Sequence, residues 1–344
     1  MIYLDYSATT KINKEVLEIT TKDILTKATP KDIKACQDQI KKILNTKHEI
    51  IFTSGSTESN NHALKSVLKS QKTEIITTKL EHSSINETLK YLETKGKKII
   101  YAPLKNGIID LEALKKLITP NTALITITAV NTETGMQNPI NEIGLLAKEN
   151  NIPFHTDITG SLGKINIPLE NIDLASASSH KFNGPKGIGL LIKNKNIKIE
   201  PLIKQERTHN LGLIKGLTKA LELSIKNQEE NLKKVKKLNT YLTKNLKNIK
   251  GITINSNQNS IPYILNISID SYKPETFLHY LEMDGIYIST KSACAKQNAS
   301  QAVYEITKSH NLASTSVRIS LSPKTTKQDL DKLIEKIKRR EHAR

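Results

Sequence analysis

The stretch "EIIFTSGSTESNNHALKSVLKSQKTEIITT", residues 49–78, decides the fold class. It begins with a short apolar, β-branched run and breaks at Gly55. A helix-like segment follows, with Ser56, Thr57 and Glu58 at its start as N-terminus signals. A second β-branched run closes the unit. Two strand-like runs joined by a helix-length crossover read as a βαβ unit, the connection that parallel strands require.

The same rhythm continues outward. "SSINETLKYLETKG" (83–96) reads as a helix closed by glycine, "KKIIYAPL" (97–104) as a strand and "DLEALKKLI" (110–118) as a helix. "TALITITAV" (122–130) is nearly all apolar and β-branched, as expected of a strand covered on both faces. A helix "NEIGLLAKENN" (141–151) and strands "IPFHTDI" (152–158), "IDLASASS" (172–179) and "GIGLLIKN" (187–194) complete the series. This alternation predicts an α/β domain with a mostly parallel sheet. A long helical region is expected from about residue 211 to 250. Beyond it the rhythm changes to short strands, "IPYILNISID", "IYIST" and "SVRISLS", with helices "KPETFLHYLEMDG" and "TTKQDLDKLIEKIKRR". The expected division is a large domain over 13–245 and a smaller α+β domain formed by 1–12 with 246–344.

The chain has 344 residues, enough for about two domains. No apolar run approaches the ~20 residues that span a bilayer, and the first residues lack a signal-peptide pattern. The expectation is a cytoplasmic protein without a membrane role. With only Cys36 and Cys294, neither a disulfide framework nor a cysteine-built metal site is expected. Cys36 falls in a helical pattern and reads as structural. The net charge of +18 attracts acidic partners or polyanions, but the lysines are scattered in a chain rich in Lys, Ile and Asn throughout. No nucleic-acid-binding motif accompanies them, so direct nucleic-acid binding is not expected as the main role.

Four stretches hold residue types suited to chemistry. A helix starting at Ser56 and Thr57 presents free N–H groups and hydroxyls to a phosphate, although an ordinary capping box explains the same residues. Asp157 ends an apolar strand, where α/β sheets open their ligand crevice; a cationic heterocyclic nitrogen would partner it there, or it forms a turn. Lys181 lies between a strand and the glycine-rich "NGPKGIG". A partly desolvated lysine there has a lowered pKa and suits Schiff-base chemistry, with Ser178 and His180 as phosphate donors beside it; a hydrated loop lysine is the alternative. Cys294 sits in the polar small-residue loop "STKSACAKQNASQ", which suits a nucleophile that moves or a half-buried small residue.

In order along the chain, "YLDYSATT", "FTSGSTESNN", "EHSS", "NTETG", "HTDITGSLGK", "SSHKFNGPKGIG", "STKSACAK" and "SVRISLS" resemble the class V aminotransferase family, and within it the cysteine desulfurases of the NifS/IscS group. The resemblance runs from Tyr3 to Ser322. It implies pyridoxal 5′-phosphate (PLP) and fold type I, a homodimer, and conversion of L-cysteine to L-alanine. In this reading Lys181 bonds the cofactor and Asp157 pairs with its pyridine nitrogen. His82 stacks on the ring and helps move protons. Ser56, Thr57, Ser178 and His180 hold the phosphate. Asn131 lies near the substrate and the phenolic oxygen. Arg318 grips the substrate carboxylate, and Cys294 takes the sulfur as a persulfide for an acceptor, either an iron–sulfur scaffold or a tRNA-thiolating enzyme. No metal is implied. A selenocysteine lyase, an aminotransferase or a non-catalytic paralogue remain as alternatives.

Three departures from the family pattern stand out. Gly160 replaces the usual Gln three residues after the pyridine-binding Asp, which predicts a changed lysine–cofactor pKa and weaker cofactor binding. "PLIKQERTHNLGLIKG" is shorter than its family counterpart, with Gln205, Glu206, Arg207, Thr208 and Asn210 as remnants of a phosphate-contacting segment. "KDILTKATPKDIKAC" stands where a longer segment normally builds the entrance and dimer contact.

Overall fold

The computed structural model describes residues 1–202, 209–270, 272–290 and 299–339. Among them, seven strands form the main sheet in the spatial order Glu49–Thr53, Gly189–Lys193, Leu174–Ser178, Phe154–Asp157, Thr122–Thr126, Glu74–Thr77, Lys98–Tyr101. Gly189–Lys193 runs antiparallel to both neighbours, and every other pairing is parallel. The sheet is therefore mostly parallel, as expected.

Both faces of this sheet are buried, and the strands show it residue by residue. Ile76, Ile125, Ala175, Leu190 and Ile192 enter one apolar cluster. Their chain neighbours Ile75, Leu124, Leu174 and Leu191 enter another on the opposite side. Period-two geometry thus sends alternate side chains into separate cores, which is why the strands read as continuous apolar runs. Helices Ser56–Lys65 and Ser83–Glu93 supply the second cluster with Ala63, Leu64, Ile85 and Leu89. Helices Pro30–Ile43, Ile140–Glu149 and Leu211–Lys226 supply the first.

A three-stranded antiparallel sheet, Ile252–Ile254, Ile264–Ile269 and Ser316–Ser320, builds a further core. Leu4 from the N-terminus packs there with Phe277, Val317, Ile319 and Leu333. Strand Ile2–Tyr3 pairs in parallel with Ile286–Tyr287, so the first residues are tied to the C-terminal part of the chain. Helix Gln228–Leu246 sends Val235, Leu242 and Leu246 into the same core. No helix among the described residues is long and apolar enough to cross a membrane.

The helical region after residue 211 is two helices, Leu211–Lys226 and Gln228–Leu246. Asn227 separates them at φ −99°, ψ 6°, with its side chain donating back to Leu223 O. Asparagine competes for backbone groups in this way and ends helices without a Gly or Pro signal. The "KDILTKATPKDIKAC" segment is also organised. Thr29 and Asp32 form a reciprocal capping box at the start of helix Pro30–Ile43. Cys36 on that helix is buried, and burial raises its thiol pKa, which matches a structural residue.

Candidate active site

The parallel strands end together, and their C-terminal ends carry the candidate residues. Thr53 and Ser178 stand level on either side of Gly189. The chain turns at Gly55 (φ +156°, ψ −179°) into helix Ser56–Lys65, whose first turn has no side-chain cap. Glu58 instead accepts from Ser54 N at 2.8 Å. The N–H end of the helix is thus left for another acceptor, and Ser56 and Thr57 sit on it. A methyl group on Gly55 would lie 3.6 Å from Ser178 Oγ, and one on Gly189 would lie 2.7 Å from Gly55 Cα. The glycines let backbone and the Ser178 hydroxyl close into one cradle.

Asp157 ends its strand and is buried. Its Oδ2 accepts from Asn60 Nδ2 at 2.8 Å, and its Oδ1 from Thr159 N at 2.9 Å. Among the described residues no ammonium or guanidinium pairs with it. Asn60 Nδ2 also donates to Ser84 Oγ at 2.9 Å, and Ser84 Oγ lies 2.8 Å from His82 Nδ1. Ser84 N donates to the same Nδ1 at 3.2 Å, so Nδ1 is an acceptor and the neutral ring carries its proton on Nε2. His82 caps helix Ser83–Glu93. The residue reaches the surface, but the protein packed around the ring desolvates it. That crowding lowers its pKa, the Asp157 carboxylate opposes the shift, and Lys181 reinforces it. Below it, buried Glu81 accepts from Thr78 Oγ1 at 2.7 Å and Thr128 N at 2.9 Å. Burial raises its pKa to about 8, and the nearby Asp157 charge adds to this, so Glu81 holds a proton at neutral pH.

Lys181 lies in the short turn Ser179–Lys181 after strand Leu174–Ser178. Its Nζ donates to Ser7 O and, at 2.9 Å, to Ala8 O. Burial lowers its pKa to about 8, the Arg318 charge adds to the shift, and Asp157 and Asp5 oppose it. His180 is pushed down to about 4, first by burial and then by Lys181, Lys186 and Lys164; its Nδ1 lies 3.1 Å from Thr9 Oγ1. At neutral pH it is an uncharged hydrogen-bonding group.

Arg318 is 4% exposed. Its Nη1 donates to Thr132 O at 2.9 Å and its Nη2 to Asp5 Oδ1 at 2.7 Å, while Nε is buried without a partner. Asn131 is largely committed to its own loop. Its Oδ1 accepts from Glu133 N, Thr134 N and Thr134 Oγ1, and its Nδ2 donates to Leu80 O at 3.2 Å.

The structure therefore brings Lys181 within electrostatic reach of Asp157, His82 and Arg318, and sets Ser178 beside the helix start that carries Ser56 and Thr57. Cys294 lies outside the described residues, as do Gln205, Glu206, Arg207 and Thr208. The strand holding Arg318 pairs with Ser289, shortly before the segment that carries Cys294. Asn210 is a helix cap, its Oδ1 accepting from Leu213 N at 3.0 Å. At Gly160 an added Cβ would meet Thr132 Cγ2 at 3.0 Å and Val130 O at 3.2 Å. The space that a longer side chain would enter is thus filled by the Thr132 methyl and the Val130 carbonyl. Asn60, Ser84, Glu81, Asp5 and Lys164 were not singled out from the sequence. Lys164 is half-buried, its Nζ reaching Gly160 O at 3.3 Å, and desolvation with Lys181 and Arg318 lowers its pKa to about 7.

Fold and site together define a class: a PLP-dependent transferase of fold type I. The Aminotransferase class-V family model matches residues 2–333. A relative from Clostridium botulinum, cysteine desulfurase IscS, is 37% identical over 97% of this chain and 92% of its own. A solved NifS-like protein superposes with a TM-score of 0.93 at 31% identity, covering both chains fully. A structure described as SspA in complex with cysteine superposes at 0.80 with 30% identity, over 95% of this chain and 100% of that one. The chain belongs to the class V aminotransferase family, among its cysteine desulfurases.

The family's cofactor is PLP, and the donor set here fits it. Among the described residues, a helix start without a side-chain cap lies beside Ser178, a buried carboxylate lacks a cation, and a lysine amine is partnered by two carbonyls. The lowered Lys181 pKa has a measurable consequence. An amine with pKa about 8 is mostly charged at pH 7 and mostly neutral at pH 9. Reconstitution of the apo protein with PLP, followed by absorbance, should speed up about tenfold across that interval. A rise of about a hundredfold, as for a lysine of ordinary pKa, would contradict the lowered amine pKa.

Proposed function

We propose that this chain removes sulfur from L-cysteine, forming L-alanine, and carries the sulfur on Cys294 to an acceptor. The observation that carries the reading is that Asp157 and Arg318 both lie close enough to Lys181 to shift its amine, in a chain related to cysteine desulfurases along nearly its whole length.

When bound, PLP supplies an electron sink that lets the substrate Cα–H bond ionise. Asp157 supplies the negative charge that keeps a pyridine nitrogen protonated, and Asn60 and Thr159 fix its two oxygens. Ser56, Thr57, Ser178 and neutral His180 offer N–H and O–H donors to a phosphate without adding a full positive charge. Lys181 anchors the cofactor, and its amine, with a pKa of about 8, is a base matched to proton removal near neutrality. His82 is oriented by Ser84, with Nε2 left to carry a proton. Arg318 keeps an unpartnered Nε for a substrate carboxylate. Cys294, as a thiolate, forms the S–S bond as the substrate C–S bond breaks, so no outside oxidant is needed.

The family supports two further parts of the proposal: a homodimer, and a protein acceptor that is an iron–sulfur scaffold or a tRNA-thiolating enzyme. An amino-acid panel tests the reaction class. The PLP-loaded protein should form alanine from L-cysteine. Alanine from selenocysteine alone would point to a selenocysteine lyase. Keto-acid formation, with an amino group passed to a second keto acid, would point to an aminotransferase.

A further inference from the structure

Arg318 is held from one side by the first residues of the chain. The Asp5 Oδ1 accepts from Nη2, and the Thr132 carbonyl takes Nη1. These two bonds, on the two terminal nitrogens, fix the plane of the guanidinium. Nε stays buried and without a partner. A buried N–H left unpaired is costly, so an arriving carboxylate oxygen at Nε would relieve that cost.

Asp5 is itself held in place. Ser320 N donates to Leu4 O at 2.7 Å, Ser7 N to Ser320 Oγ at 3.0 Å, and Tyr3 OH to Asp5 O at 3.0 Å. Two residues further on, the carbonyls of Ser7 and Ala8 receive Lys181 Nζ. One short segment therefore touches both the lysine amine and the arginine, and sets their relative position.

We propose that Asp5 is a positioning residue for the amino-acid substrate, fixing the direction of the Arg318 guanidinium that takes the substrate carboxylate. The proposal rests on Arg318 as the carboxylate-binding group. Asp5 fixes direction as well as charge, so the two conservative variants should separate. Asp5→Asn keeps an acceptor for Nη2 in the same place. Asp5→Glu keeps the charge and moves it by one methylene.

The test is titration of the PLP-loaded wild type, Asp5→Asn, Asp5→Glu and Arg318→Lys with L-alanine and with ethylamine, read as the change in cofactor absorbance. Ethylamine has the amine and lacks the carboxylate. Circular dichroism and melting temperature establish that each variant is folded. Asp5→Asn should bind L-alanine within about threefold of wild type, while Asp5→Glu should weaken it by about tenfold or more, with ethylamine unchanged in both. Wild-type L-alanine binding by Asp5→Glu, or equal weakening of both ligands, would overturn the proposal. So would a loss in Asp5→Asn that Asp5→Glu does not show, since the role would then be charge alone. Arg318→Lys separates the two levels. If it weakens L-alanine and Asp5→Glu does not, only the Asp5 assignment fails. If Arg318→Lys binds L-alanine normally, the carboxylate reading fails with it.

Discussion

Lys181→Ala should yield a folded protein that purifies without the PLP–lysine chromophore and has no measurable desulfurase turnover. The side chain is half-buried and bonds only to the carbonyls of Ser7 and Ala8, so truncation removes two donors from a site that water can enter. The fold should tolerate that loss. The chemistry should not, because the variant loses its covalent anchor and its general base together. Loss of a general base alone costs about 10²- to 10⁴-fold. Absorbance after incubation with PLP and dialysis, followed by alanine quantification, checks both effects. Retained chromophore would move the anchor to another amine. Lys164, half-buried near Lys181 and with its pKa lowered to about 7, is the first amine to examine.

Cys294→Ser should separate cofactor chemistry from sulfur transfer. Serine has nearly the same shape, but its hydroxyl neither ionises near neutrality nor forms a bond to sulfur that is later released. Lys181, Asp157 and His82 are untouched, so the chromophore and its response to L-cysteine should persist. Sustained alanine and sulfide formation should fall to background. Cys36 does not substitute, because it is buried in helix Pro30–Ile43 with a raised thiol pKa. Undiminished turnover by Cys294→Ser would remove the persulfide step from the account.

Much of this was legible in the sequence, for physical reasons that can be located. The main sheet was readable because both its faces are buried, so Thr122–Thr126 shows an unbroken run where a half-exposed strand would alternate. Asp157 and Lys181 were readable because strand ends and glycine turns mark the crevice in an α/β sheet. The connections were not. Asp5 meets Arg318 across 313 positions, and no periodicity reports such a contact. Asn60 and Ser84 link Asp157 to His82 from two different helices, and in the sequence each is one more polar residue near a helix start. The break at Asn227 carries no glycine or proline signal, because asparagine ends a helix through its side chain. Gly160 reads in the sequence as a lost contact. In the fold its surroundings have closed over the space, with Thr132 and Val130 against it.

The central claim is that sulfur leaves L-cysteine at the Lys181 site and arrives on Cys294. A single turnover of the PLP-loaded protein with L-cysteine, without reductant, measures both halves at once. Alanine is counted in solution, and the sulfur adduct is located by mass spectrometry of the digested protein. The account predicts one alanine per active site and one additional sulfur on the peptide containing Cys294. Alanine without protein-bound sulfur, or an adduct on Cys36 with Cys294 unmodified, would contradict it.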